Sequence, residues 1–169
     1  IHLSLGEPDF DTPVFIKDVA KEAIDQNYTH YMPVPGYADF RDSISKKFKR
    51  DNDIIYTSDQ IVVSTGAKQS LANLILATVN PGDEVLLPAP YWVSYIEMVK
   101  MAGATPVVVE TSIDHDYKIS AETLKANLNE KTRMLIFSSP CNPSGSVYSK
   151  SELREWAEVI KDFPNLVAV

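Results

Sequence analysis

Short apolar runs rich in β-branched residues alternate with amphipathic stretches along this chain. That alternation restricts the fold more than any other feature. The strand candidates are 1–5, 61–64, 84–88, 105–110, 133–138 and 166–169. Ile1-His2-Leu3-Ser4-Leu5 alternates apolar and polar residues, whereas the later runs place apolar residues at successive positions, as expected of strands covered on both faces. Strand–helix–strand order with doubly covered strands predicts an α/β fold, a three-layer α/β/α arrangement around a mostly parallel sheet.

The helical stretches follow from spacing. Ile16, Val19, Ala20, Ala23 and Ile24 share one helical face. Tyr37, Phe40, Ile44 and Phe48 form a second stripe, and Leu153, Trp156, Ala157 and Ile160 a third. Ser149 and Glu152 have capping-box spacing before that third stripe. Asp11-Thr12-Pro13 reads as a helix start, with Asp11 as a capping residue. Pro81-Gly82-Asp83 is a turn between a helix over 68–79 and the strand 84–88. Residues 1–50 read differently, with one short strand, two helices and the proline-rich turn Met32-Pro33-Val34-Pro35-Gly36. They are expected to form an arm or part of a second domain, and 51–169 the sheet domain.

Composition excludes several function classes. Of 169 residues, 44% are apolar and 23% charged, which suits a globular chain rather than a disordered one. No apolar run approaches the roughly 20 residues that a membrane-spanning helix needs. The net charge of −7 argues against a nucleic-acid partner. The basic run Lys46, Lys47, Lys49 and Arg50 reads as one solvated helix face. A single cysteine, Cys141, excludes an intramolecular disulfide and suits a reducing, cytoplasmic compartment. The chain opens without an initiator Met and closes on the apolar strand Leu166-Val167-Ala168-Val169. Both ends read as cuts in a longer polypeptide.

Ligands of open α/β sheets bind at the carboxyl ends of the strands. Three segments fall there. Ser64-Thr65-Gly66-Ala67-Lys68-Gln69 joins a strand to a helix N-terminus, where small residues let backbone N–H groups approach a phosphate. It matches neither a Walker A loop nor Gly-x-Gly-x-x-Gly, and a plain tight turn is the competing reading. Pro88-Ala89-Pro90-Tyr91-Trp92-Val93-Ser94-Tyr95 ends a strand and offers aromatics. Trp92 can stack on a flat ring or pack, and Tyr95 reads as core. Ser138-Ser139-Pro140-Cys141-Asn142-Pro143-Ser144-Gly145 offers the Asn142 amide, in a dipeptide that is also a common turn. Cys141 reads as an inert small residue. His2, His30 and His115 are scattered without metal-ligand spacing, and no serine sits in Gly-x-Ser-x-Gly.

In this order and spacing the segments resemble the first half of a class I aminotransferase, of the fold-type I pyridoxal-phosphate (PLP) group. The residues that carry the resemblance are Gly6-Glu7-Pro8-Asp9-Phe10, Tyr31-x-Pro-x-x-Gly36, Gly66-Ala67-Lys68-Gln69, Pro81-Gly82-Asp83-Glu84-Val85, Pro90-Tyr91-Trp92-x-x-Tyr95 and Ser139-Pro140-x-Asn142-Pro143-Ser144-Gly145. The variants look most like bacterial aspartate aminotransferases. The resemblance implies that Gly66, Ala67 and Lys68 hold the cofactor phosphate and that Trp92 stacks on the pyridine ring. It implies that Asn142 hydrogen-bonds the phenolic oxygen and that the Asn142–Pro143 bond is cis. Gly6, Trp92 and Asn142 would face the substrate. Tyr31 would reach the phosphate of a neighbouring subunit, which makes the enzyme a homodimer with shared active sites.

PLP transamination also needs a lysine bound to the cofactor, a carboxylate on the pyridinium nitrogen and an arginine for the substrate carboxylate. The resemblance puts all three beyond Val169, so no catalytic residue is expected within this chain. The reading is transfer of an amino group from aspartate to 2-oxoglutarate by the full-length protein, with this piece inactive alone. Aromatic or alanine transamination and C–S lysis share these motifs. A PLP-binding effector domain of a transcriptional regulator and a nucleotide-binding α/β module are the readings from other classes.

Overall fold

A computed structural model describes residues 6–169; the strand expected over 1–5 lies outside the described residues. The chain divides into two compact units, one through Val63 and one over Ser64–Val169.

The first unit carries helices α1 (Val14–Asp25) and α2 (Ala38–Asn52) and a 3-10 turn over Ser58–Gln60. Helix α1 starts just after Pro13 as expected, but no side chain caps it, so Asp11 is not its cap. Proline at that position already lacks an N–H and fixes φ, so the start needs less help from a side chain. The basic run on α2 is exposed, and Lys47 and Arg50 pair with Asp51 and Lys49 with Asp53 just past the helix end. Gly36 turns the chain at a φ of +96° and packs against Val63. Arg41 ties the turn together by donating to the carbonyls of Gly36 at 3.2 Å and Ser58 at 2.6 Å.

The run 61–64 starts extended at Ile61 but is not a strand of the sheet. Its Val63 N–H donates to the Pro35 carbonyl at 3.0 Å, in the Gly36 turn, instead of to a ladder partner. Apolar, β-branched residues favour an extended backbone, but a strand exists only where a second strand lies alongside.

The second unit is the α/β body. Its helices are α3 (Gly66–Thr78), α4 (Ser94–Met101), α5 (Ala121–Asn127) and α6 (Lys150–Ile160). Its strands are β1 (Glu84–Pro88), β2 (Thr105–Val109), β3 (Thr132–Leu135) and β4 (Val167–Ala168). The strand order is β2-β1-β3-β4 and every pairing is parallel. Successive side chains of β1 and β3 point to opposite faces. Val85, Leu87, Met134 and Ile136 join Ile75, Tyr95, Met98 and Val99 of α3 and α4 in one core. Leu86 and Leu135 join Leu124 and Trp156 of α5 and α6 in the other. Helices therefore cover both faces, which gives three layers and explains the continuous apolar runs.

Local signals set the element ends. Asn80 and Asp83 exchange hydrogen bonds around the Pro81-Gly82 turn before β1. Pro88, which lacks an N–H, closes β1. The Ser149–Glu152 capping box starts α6, each side chain meeting the other residue's backbone N–H. Among the described residues no helix is long and apolar enough to cross a membrane.

Candidate cofactor site

The N-terminus of α3 is open. Gly66 has a φ of +82°, and a Cβ added there would meet no atom within 4 Å. The side chain of the N-cap residue Thr65 makes no capping bond, and the first turn carries no acid. The Gly66 N–H turns back to the Ser64 carbonyl at 2.9 Å, and the Thr65 N–H donates to Gln69 Oε1 at 2.5 Å. The following first-turn amides of Ala67 and Lys68 have no acceptor within a helix that starts at Gly66. Exposed amides at the positive end of a helix dipole suit an anion, and the empty space at Gly66 lets one approach the backbone.

Two further expected residues adjoin this turn. The Lys68 ammonium lies 4.9 Å from the centroid of the Trp92 ring, in cation–π geometry. Trp92 is half-buried and meets Tyr95 edge-on, with centroids 5.6 Å apart and planes at 88°. Tyr95 is buried in the core, as its reading predicted. A flat ring stacked on the lysine-covered face of Trp92 would displace the ammonium, which is exposed and sits on a flexible stem.

The Asn142 segment is joined to the Trp92 segment through the thiol of Cys141, which donates to the Pro90 carbonyl at 3.3 Å. The Asn142–Pro143 bond is cis, and so are Ala89–Pro90 and Ser139–Pro140. The turn is closed by Cys141 N–H to Ser146 O at 2.9 Å and Gly145 N–H to Cys141 O at 2.8 Å. Asn142 is exposed, with its backbone N–H on Ser138 Oγ at 3.2 Å. The segments carrying Gly66, Ala67 and Lys68, Trp92, and Asn142 thus form a continuous chain of contacts in one unit. Gly6 and Tyr31 are exposed residues of the other unit, and their roles rest on the resemblance alone.

The donor set fits pyridoxal phosphate: free helix-terminal amides and a lysine for a phosphate, an aromatic face for a ring, and a carboxamide for a phenolic oxygen. Sequence reasoning missed the hydrogen bonds that hold the Trp92 loop, from the Cys141 thiol to the Pro90 carbonyl and from the Thr111 hydroxyl to the Ala89 carbonyl, since neither donor carries a motif signal. It also missed a cavity of about 530 Å³ lined by Glu110, Asp114, Lys118, Glu152 and Trp156 among others, which includes none of the three motif segments. There Glu152 is held down to about 2 by the Lys118 ammonium and the Ser149 hydroxyl and N–H.

The sequence matches the aminotransferase class I and II family over residues 1–169. It is 48% identical over 169 residues to a bifunctional aspartate aminotransferase and glutamate/aspartate-prephenate aminotransferase of Petunia hybrida, covering 100% of this chain and 35% of that protein. It is 47% identical to an aspartate/prephenate aminotransferase of Nitrosomonas europaea, covering 99% of this chain and 42% of that one. The aspartate aminotransferase of Rhizobium meliloti superposes with a TM-score of 0.94 at 39% identity, over 98% of this chain and 42% of the other. The Thermus thermophilus aspartate aminotransferase with maleate gives 0.92 at 40% identity, over 98% and 44%. The chain spans about two-fifths of the length of these relatives.

Proposed function

The chain belongs to the class I and II aminotransferases, and on that premise we propose that it supplies the phosphate, ring and phenolic-oxygen contacts of a PLP site that transfers an amino group from aspartate to 2-oxoglutarate. Residues 1–50 serve as an arm and 51–169 as the start of the cofactor domain. The observation that carries the proposal is the open, glycine-led start of α3, whose Lys68 ammonium lies over the Trp92 ring. The names of the aligned relatives supply aspartate, and the family resemblance supplies 2-oxoglutarate.

When bound, PLP supplies an aldehyde and an electron-accepting ring that carry an amino group between two acids. The Ala67 and Lys68 amides beside Gly66 would hold its phosphate, with the Lys68 ammonium balancing the charge. The Trp92 face would hold the ring, restraining its tilt and excluding water from one side. The Asn142 carboxamide would donate to the phenolic oxygen. No lysine in the chain lies in a motif for covalent attachment, so that lysine is assigned to polypeptide outside these 169 residues, as are the pyridinium carboxylate and the substrate arginine. The reading also takes the active form as a homodimer, with Tyr31 reaching the neighbouring subunit's phosphate and Gly6 near the substrate carboxylate. A reducing cytoplasm suits the free thiol of Cys141.

The test is borohydride reduction of the full-length protein with PLP, followed by mass mapping. The label is expected on one lysine outside this chain, and the isolated chain is expected to show no turnover with aspartate and 2-oxoglutarate. Labelling of Lys68, or turnover by the isolated chain, would overturn the division of the site.

A further inference from the structure

Two consecutive carbonyls in the loop that carries Trp92 are each held by a side chain from a different neighbouring segment. Thr111, just past β2, donates its hydroxyl to the Ala89 carbonyl at 2.5 Å. Cys141, in the loop after β3, donates its thiol to the Pro90 carbonyl at 3.3 Å. The Ala89 N–H also donates to the Val109 carbonyl at 2.9 Å, and the Trp92 carbonyl accepts from Tyr95 N–H at 2.9 Å. The loop is thus fixed on both sides of the Tyr91–Trp92 pair. The two donors are partly buried. Cys141 is further fixed by its own two backbone bonds within the 141–146 turn.

We propose that Thr111 and Cys141 are positioning residues, whose paired hydrogen bonds set the direction of the Trp92 ring relative to α3 and to Asn142. Holding carbonyls 89 and 90 fixes the two peptide planes that precede Tyr91, and so the path on which the Trp92 Cα lies. Cys141 directly precedes Asn142, so its thiol also sets the separation of the stacking ring from the carboxamide. The assignment rests on the reading of Trp92 and Asn142 as cofactor-holding residues. It adds two residues that touch neither cofactor nor substrate. Bulk and burial alone would make Thr111 and Cys141 packing residues, and substitutions that keep shape but remove the donor separate the two roles.

The experiment uses the full-length protein labelled with 5-fluorotryptophan and read by 19F NMR without cofactor. Trp92→Phe assigns the Trp92 resonance, and the Trp156 resonance, from the buried core, reports the fold. Thr111→Val and Cys141→Ala should each displace or broaden the Trp92 resonance and leave that of Trp156 in place. Thr111→Ser and Cys141→Ser, which keep a donor, should restore it. PLP affinity should fall roughly two- to tenfold in the Val and Ala variants, the factor a single neutral hydrogen bond carries. An unmoved Trp92 resonance in Thr111→Val and Cys141→Ala overturns the proposal. So does movement of both tryptophan resonances together, which makes the effect global. Absence of PLP binding by the unsubstituted protein refutes the cofactor reading instead, and leaves the 19F result to judge the tethers.

Discussion

Gly36 and Gly66 both have positive φ, but their surroundings differ, and alanine at each separates backbone strain from loss of a ligand cradle. At Gly66 the φ is +82° and an added Cβ meets no atom within 4 Å. The cost of Gly66→Ala is then conformational, about 1–2 kcal/mol. Restricting the unfolded chain offsets about 0.4–1 kcal/mol of it. At Gly36 the φ is +96° and the added Cβ would lie 3.0 Å from Val63 Cγ2 and 3.1 Å from Val63 Cβ. Val63 cannot retreat freely, because its N–H holds the Pro35 carbonyl at 3.0 Å. Overpacking adds about 1–3 kcal/mol there. Full-length relatives are more than twice this length, and at that size each kcal/mol moves Tm by no more than about 2 °C. Gly66→Ala should therefore lower the melting midpoint by only a few degrees, and Gly36→Ala by at least about twice as much. Thermal melts followed by far-UV circular dichroism in the full-length protein measure this. PLP titration should give the reverse order. A methyl group at residue 66 fills the space that admits a phosphate to the α3 amides, so Gly66→Ala should weaken binding at least about tenfold, the loss of one charge-assisted hydrogen bond. Equal melting losses in the two variants would refute the steric argument. Unchanged PLP affinity in Gly66→Ala would refute the cradle.

Further outcomes concern the core between α5 and α6. Tyr148→Phe should destabilise by about 1–3 kcal/mol in urea titrations, because the buried Ile119 N–H, now 3.0 Å from the Tyr148 oxygen, loses its acceptor. Deprotonating Tyr148 needs a pH above its ordinary 10.0, since burial raises it, so its absorbance should titrate late and Tyr148→Phe should remove that late component. Glu152 is depressed from 4.5 to about 2 in the folded chain, so its stabilisation is complete above 4.5 and is lost as pH falls toward 2. Glu152→Gln should accordingly flatten the dependence of Tm on pH across that window and change it little above it; an unaltered slope would refute the assignment.

Much of the fold was legible because its signals are short-range. The Ser149–Glu152 capping box, the Pro81-Gly82-Asp83 turn and the helical stripes involve residues within a few positions of one another. The continuous apolar runs of β1 and β3 correctly implied helices on both faces. The run 61–64 misled because propensity describes one segment, while a strand requires two. Asp11 misled because Pro13 already prepares the start of α1 without a side-chain cap.

By itself the sequence determined helices α1, α2, α3 and α6, strands β1 to β4, the covered sheet and the order of the motif segments, since helical periodicity, turn chemistry and apolar content are properties of neighbouring residues. Only the tertiary structure decided the strand order β2-β1-β3-β4 and what each segment touches. Thr111 reaches Ala89 across 22 positions, Tyr148 reaches Ile119 across 29, and Cys141 reaches Pro90 across 51. The Lys68 ammonium over Trp92 belongs to the same class. Such contacts depend on how strands are ordered and how loops close over their ends. No local pattern encodes that geometry, because its stabilisation appears only once the sheet has formed.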